Sequence, residues 1–432
     1  MATTTTTLQS AAEYGSDRRR RVMGIVFLAL AAGIWLLFAR TTAPGMETTF
    51  NLNPGGSQSS FPDWVFDTLT LLNVLAGFAA VLGAYQLFRG FGKRTNLILG
   101  LVAGLFLFGF LSWVASGTSL NLAGLLRATL IRAVPITLGA LSGVLCERAG
   151  VVNIAIEGMM LMAAMVAAIF GSVAGLGVGL VAGVLSGGLL AWIHALLSIK
   201  YKTDQIVSGT VINIFAVGIT SFIAAKFLAS YRHLNNPGIY PDISIPGLVD
   251  IPFIGPIFFQ HNIFFFGMVI FLALLHFGLF YTRWGLRLRS VGEHPKAADT
   301  LGINVFRTRY MAVILGGMMA GFGGAYFTLG SVGRFDEVMT AGRGFIGLAA
   351  MIFGNWKPVG SFGAGLLFGF ADMLAARLAI LGVRIPSEFL LMAPYIATMI
   401  ILAGVVGRGQ MPAADGQPYE KRSEEHTSEL QS

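Results

Sequence analysis

The sequence predicts an all-α, polytopic transmembrane helix bundle of about 10–12 spans. Three observations carry that expectation. Charged residues make up 12% of the chain and hydrophobic ones 55%, whereas a soluble domain carries about 25% charged residues. So little charge cannot cover a water-facing surface, and lipid must be the solvent for most of the chain. Apolar runs of about 18 residues or more recur, each long enough for a crossing. Lys and Arg gather in the short loops between those runs. The net charge of +8 therefore reflects membrane topology and is no pointer to nucleic acid.

Taken in order, the candidate spans lie near 22–39, 64–88, 96–116, 122–145, 151–170, 177–198, 206–228, 263–282, 308–330, 341–356, 359–381 and 387–406. The first follows Arg18 to Arg21, an arrangement that a signal peptide shares. The run Val22 to Ala39 is long for a signal core and no A-x-A site follows it, so an uncleaved helix is expected. The 341–356 run is short for a full crossing; a re-entrant segment is allowed there if protein buries it. Gly171, Gly175, Gly179, Gly183 and Gly187 recur at every fourth residue, and Gly365 and Gly369 repeat the spacing. Along one helix they would form a smooth face for close backbone approach.

Loop charge sets the expected orientation. Arg283, Arg287, Arg289, Lys296, Arg307 and Arg309 crowd the 283–309 loop, while the 229–262 loop has Arg232 with Asp242 and Asp250. The first loop is expected in the cytoplasm and the second outside, with both termini cytoplasmic. Arg127 and Arg132 fall inside a span near its outer end, where they would snorkel outward or line a wet path. Pro237, Pro241, Pro246, Pro252 and Pro256 rule out a long helix in the outer loop.

Polar residues punctuate the apolar sequence in three places. In "ERAGVVNIAIEGMM", Glu147 to Met160, Asn153 and Glu157 lie four apart and share a face if the segment is helical. Gly150 and Gly158 make an interrupted helix plausible. Its polar groups then line a substrate path; the plainer readings are a polar staple between helices or a loop outside the membrane. Glu147 and Arg148 are expected at the cytoplasmic end of the preceding span, where charge is cheap. In the 285–310 stretch, Pro295 suits a first helical position and Gly302 a helix stop, drawing a short helix over Pro295 to Leu301. It is either a docking knob for a cytoplasmic partner or a solvated basic loop.

The third stretch is "GRGFIGLAAMIFGNWKPVG", Gly342 to Gly360. Trp356 and Lys357 look like an interfacial anchor; Arg343 or Asn355 near a pore is the sharper reading. Asp204, Gln205 and Asn213 open the 206–228 span. Asp372 and Arg377, five apart, are poorly placed to pair along one helix. His194 and His276 read as satisfied core groups. Cys146 is the sole cysteine, so there is no internal disulfide and no cysteine metal cluster. No phosphate-binding G-x-x-x-x-G-K-[ST] loop, zinc-binding H-E-x-x-H or nucleophile-elbow G-x-S-x-G appears. No cofactor or metal site is expected, and the chain carries no evident engine of its own.

"ERAGVVNIAIEGMMLMAA", "LRSVGEHPKAADTLGINV" and "GRGFIGLAAMIFGNWKPVG", in that order, resemble permease subunits of bacterial ABC importers for simple sugars, branched-chain amino acids and nucleosides. The first and third look most like the nucleoside-type permeases that work with basic-membrane-protein lipoproteins. The resemblance implies a type II ABC importer permease-like fold over a core of 118–410. It leaves 1–117 as an N-terminal extension with about three transmembrane helices, and 411–421 as a C-terminal tail. It implies a cytoplasmic ABC ATPase, a second, non-identical permease subunit making a heterodimer, an external substrate-binding lipoprotein and a bacterial plasma membrane location.

Within that resemblance "KAADTLG" is similar to the E-A-A-x-x-x-G motif that docks the ATPase, with Lys296 where the motif has glutamate. Gly292, Glu293, Pro295, Lys296, Ala297, Ala298 and Gly302 form the docking loop it implies. Asn153, Glu157, Gln205, Asn213, Arg343 and Asn355 are the candidates for the translocation path. The function it implies is import of a small polar solute, a nucleoside first, a sugar or branched-chain amino acid second. An ion-coupled transporter titrating Glu157 or Asp372 is a different class, and an intramembrane enzyme lacks its acid, base and metal. The closing "RSEEHTSELQS", residues 422–432, resembles a translated sequencing adapter and is expected to be an artefact.

Overall fold

The computed structural model describes residues 2–53, 61–380 and 410–421. The expected last span near 387–406 and the suspected artefact at 422–432 lie outside the described residues. Among those residues ten helices are long and apolar enough to cross a membrane, so the chain is a multi-pass membrane protein. It divides into two compact units, residues 1–124 and 125–432.

The first unit holds α1 (Ala2–Gly33), β1 (Glu47–Asn51), β2 (Trp64–Asp67), α2 (Thr68–Phe88), α3 (Thr95–Val114) and β3 (Ser119–Asn121). Phe27, Ile34, Phe38, Leu72, Ala79 and Val102 form its core. The strands form a sheet in the order β2-β1-β3, with Phe50 opposite both Trp64 and Leu120. Thr48 ties the sheet to the helices through the Ser112 carbonyl at 2.9 Å.

The second unit takes up α4 (Leu122–Glu147), which begins at the boundary, and continues through α5 (Ile156–Ala174), α6 (Leu176–Ala195) and α7 (Gln205–Ile223). The proline-rich stretch that follows contributes a short 3-10 turn (Arg232–Asn235), the two-residue strands β4 (Ile243–Ser244) and β5 (Gln260–His261) and the single turn α8 (Ile254–Phe258). Then come α9 (Ile263–Tyr281), α10 (Arg283–Glu293), α11 (Pro295–Thr300), α12 (Val305–Ala325), α13 (Arg343–Phe353) and α14 (Pro358–Ile380). Helices α4 and α12 are enclosed by the others; α6, α7, α9 and α14 leave most of their residues uncovered by the rest of this chain.

The every-fourth glycines do not share one helix. Gly175, at φ +90°, is the corner between α5 and α6, and Gly171 and Gly179 face each other across it. Gly183 meets α5 at Ala167 and α12 at Ala325, Gly187 serves α6 against α12, where a Cβ would sit 2.5 Å from the Gly317 carbonyl oxygen, and Gly365 and Gly369 set α14 against α4. Backbones that close need small residues on both sides.

Two stretches of the bundle are not helical. Residues 148–155 turn back after α4, with Gly150 at φ +83°, and α5 starts only at Ile156. Asn153 therefore precedes the helix that carries Glu157, and the expected shared helical face does not exist. Residues 333–342 leave the wide turn that extends α12 to Val332 and lead into α13, eleven residues long. At about 1.5 Å per residue, α13 is too short for a crossing. Cys146 is fully buried, its sulfur 3.4 Å from the Asn153 amide nitrogen.

Candidate functional site

Irregular backbone inside a membrane bundle is stable only where protein satisfies its polar groups. Three of the sequence-predicted site residues do this for residues 152–158, through four hydrogen bonds. Gln205 Oε1 accepts from the Val152 N–H at 2.7 Å, and Asn153 Oδ1 accepts from Ala155 at 3.1 Å. Asn213 accepts from the Gly158 N–H at 2.8 Å and donates to the Ile154 carbonyl at 2.9 Å. His194 adds a fifth support. Its Nε2 lies 2.9 Å from the Val152 carbonyl, which can only accept, so Nε2 carries the proton and Nδ1 receives the Ser208 hydroxyl at 3.0 Å.

Glu157 joins this first irregular stretch to the second. Oε1 accepts from the Thr340 hydroxyl at 2.6 Å and the Gly342 N–H at 2.8 Å; Oε2 accepts from the Gly344 N–H at 2.6 Å. The first N–H groups of a helix have no intrahelical partner and carry its positive dipole end. A buried carboxylate there neutralises both. Gly344 must be glycine, since a Cβ would lie 2.7 Å from the Glu157 Cα.

The other end of α13 meets the end of α4. Trp356 Nε1–H donates to Glu147 at 2.5 Å, and Arg148 Nε–H donates to the Trp356 carbonyl at 2.8 Å. Both Trp356 and Glu147 are buried. Trp356 is thus no interfacial anchor, and Glu147 is not a charge resting in water. Asn355 Oδ1 accepts from the Gln410 N–H at 2.7 Å. Arg148 is depressed below the usual arginine range, chiefly by burial.

Arg343, at the start of α13, belongs to a charge cluster that local spacing does not reveal. Asp372 of α14 pairs with Arg132 of α4 at 2.6 Å and lies 3.6 Å from Arg343. The Arg343 guanidinium sits 5.8 Å from the Phe327 ring centre. All three charged side chains stay partly accessible, at 37%, 25% and 22% for Arg132, Asp372 and Arg343. Arg127 instead reaches its helix end and pairs with Asp242 at 2.7 Å. A cavity of about 970 Å³ opens between the chain that follows α7 and the chain that follows α12, edged by Arg232, Asn236, Arg334, Asp336 and Glu337.

The predicted docking loop is a two-helix knob. Thr282 caps α10 through the Gly285 N–H at 3.1 Å; Pro295 opens α11, and Gly302, at φ +79°, ends it. Lys296, Ala297 and Leu301 are exposed, as are Glu293 and Gly302; Gly292 and Ala298 are buried and Pro295 is half-buried. Asn304 caps the next helix through the Arg307 N–H at 2.9 Å. Sequence reasoning missed the residues that seal the knob from below, among them Tyr419, which packs with Val291, Ala298 and Val305. A hydrophobic pattern in a short tail gives no hint of its partner.

With this arrangement in view, comparison with known proteins gives the class. Residues 125–405 match the family described as branched-chain amino acid transport system / permease component. The chain belongs to that family: it is a permease component of an ABC importer, a transporter subunit rather than an enzyme. It is 42% identical over 304 residues, covering 68% of this chain and 95% of the relative, to a guanosine ABC transporter permease protein, NupQ, of Bacillus subtilis. It is 41% identical over 303 residues, again 68% and 95%, to the nucleoside ABC transporter permease protein NupC of Lactococcus lactis. A putative glucose ABC transporter permease protein of Haloferax volcanii is 33% identical over 260 residues, 59% of this chain and 78% of the relative. No solved structure matches.

Proposed function

We propose that this chain forms half of the pathway of an ATP-driven nucleoside importer in a bacterial plasma membrane, with both termini and the α10–α11 knob in the cytoplasm. The observation that carries this reading is the knob. It presents Lys296, Ala297 and Leu301 to solvent at the end of the bundle richest in Arg and Lys, in a chain whose sequence has no phosphate-binding loop. A separate cytoplasmic ATPase supplies the nucleotide chemistry and pushes there. A second permease subunit completes the pathway, and an external lipoprotein delivers cargo to the cavity edged by Arg232 and Glu337.

The relatives with nucleoside and guanosine in their names support the choice of cargo, and the chemistry of the Arg132–Asp372–Arg343 cluster is compatible with it. A guanidinium offers forked donors suited to the acceptor edge of a purine, and a carboxylate takes its N–H groups. In this reading Arg343 lines the path, and Asn153, Glu157, Gln205, Asn213 and Asn355 hold the irregular backbone beside it.

Uptake of labelled guanosine into cells, with unlabelled guanosine, glucose and leucine as competitors, tests the cargo. Competition by the nucleoside alone is expected. Uptake of labelled glucose that guanosine does not diminish would select the sugar reading that the Haloferax relative favours. Proteoliposomes lacking any ATPase separate the remaining class. Accumulation driven there by an ion gradient would overturn the proposal.

A further inference from the structure

Residues 410–421 cross the cytoplasmic end of the bundle as a strap attached along its length. The Ala414 N–H donates to the Gly292 carbonyl at 2.9 Å, and the Ala413 N–H to Glu293 at 3.2 Å, at the back of the knob. The Tyr419 ring lies 5.3 Å from that of Phe306 and fills the space under Val291, Ala298 and Val305. The Gln410 N–H holds Asn355 beyond α13. Glu420 pairs with Lys202, ahead of α7, at 2.9 Å. Ala414 and Gly416 close over Gly150 and Val152, in the stretch that interrupts α4 and α5.

Arg309 of α12 shows how firmly the strap is built in. Its side chain is 1% exposed, and a buried charge is costly unless partnered. Among the described residues its hydrogen-bond acceptor is the Gln417 carbonyl, at 2.9 Å, while Nε and Nη2 make no hydrogen bond. The Asp415 carboxylate faces the same guanidinium from the strap and lies beside Glu147. Burial pushes Asp415 up to about 7, with Arg309 pulling the other way.

These attachments join elements that do not otherwise follow one another. The knob is where a push arrives. The 148–155 stretch and the turn after α13 are where the strap meets the bundle outside continuous helix, and Glu157, just past the first, holds Thr340, Gly342 and Gly344 at the opposite end of α13, next to the 333–342 stretch. Packed elements with discrete arrangements pass on small displacements, whereas an unattached loop absorbs them. We infer that the 410–421 strap is the positioning element that carries movement of the α10–α11 knob to the two irregular stretches lining the path, coupling hydrolysis to transport. This rests on the ATPase-docking reading of the knob.

The test uses the assembled importer in proteoliposomes, measuring guanosine uptake and ATP hydrolysis on the same sample, with ATPase co-purification as a prior check. If the unaltered chain fails to retain the ATPase, the docking reading itself is lost. Given retention, Tyr419→Ala and Glu420→Lys are expected to keep the ATPase bound and hydrolysing while uptake per ATP falls roughly three- to thirtyfold, the range by which residues along a coupling network act. Adding Lys202→Glu to Glu420→Lys reverses one ion pair and should restore the ratio. Uptake and hydrolysis falling together in proportion to folded protein, or an unchanged ratio in both variants, would overturn the inference.

Discussion

The Glu157 carboxylate and the Gly344 N–H meet at 2.6 Å, and this contact fixes where α13 begins inside the bundle. One carboxylate closes a helix start contributed by sequence nearly two hundred residues away. Glu157→Gln keeps the shape but loses the charge. Hydrogen bonds to charged groups contribute about 1.5–3 kcal/mol each, so a loss of about 2–4 kcal/mol is expected, read as a lower melting temperature in detergent. Transport should fall in step with folded protein. A fully stable Glu157→Gln that transports nothing would return Glu157 to the path itself.

Gly344→Ala tests the same junction from the other side. The added methyl would meet the Glu157 backbone, and overpacking of this kind costs about 1–3 kcal/mol. Gly187→Ala should behave alike by separating α6 from α12. The check is thermal stability of each purified variant against the parent.

Ala297 and Ala298 are neighbours with opposite surroundings, one exposed and one buried under Tyr419. Ala297→Arg is expected to leave the fold intact and abolish retention of the ATPase in pull-downs. Ala298→Arg would place a charge in an apolar pocket and destabilise the knob by several kcal/mol, visible as aggregation on size-exclusion chromatography. Equal behaviour of the two variants would contradict the described exposure.

Asp415 gives the strap a pH dependence. Its pKa rises from 3.8 to about 7 on folding, so the folded form binds the proton more tightly. That contribution is complete below about pH 4, declines as pH rises, and is gone once pH passes about 7. Glu147 from α4 and Arg309 from α12 are the ionisable groups facing it. Amide exchange across 410–421, corrected for intrinsic rates, should be faster at about pH 8 than at about pH 6. Asp415→Asn should flatten the difference.

Asp372→Asn keeps an acceptor oxygen but removes the negative charge shared by Arg132 and Arg343, leaving two guanidinium groups without their counter-charge. A drop in guanosine uptake of about tenfold or more is expected if the cluster lines the path, about 1.4 kcal/mol in the barrier. Retained uptake with a lower melting temperature would assign the cluster to packing alone.

Local signals made part of this legible. The spans follow from apolar runs, and Pro295 and Gly302 outline α11 because each acts on its own backbone. Gly150 marks the interruption before α5 for the same reason. The partners of Glu157 lie 183–187 residues away, and Arg132 meets Asp372 across 240. Such contacts leave no periodic trace in one sequence. Trp356 misleads for a related reason, since a Trp-Lys pair after an apolar run has the composition of a lipid interface. Only the position of Glu147 shows that its indole points inward.

Cys146 lies fully buried against Asn153, out of reach of water-soluble reagents. A maleimide spin label or fluorophore will therefore find its only target wherever a new thiol is introduced, at Ala297 or Leu301 for example. The native chain can serve directly as the background for distance measurements on the working transporter, with no prior cysteine replacement.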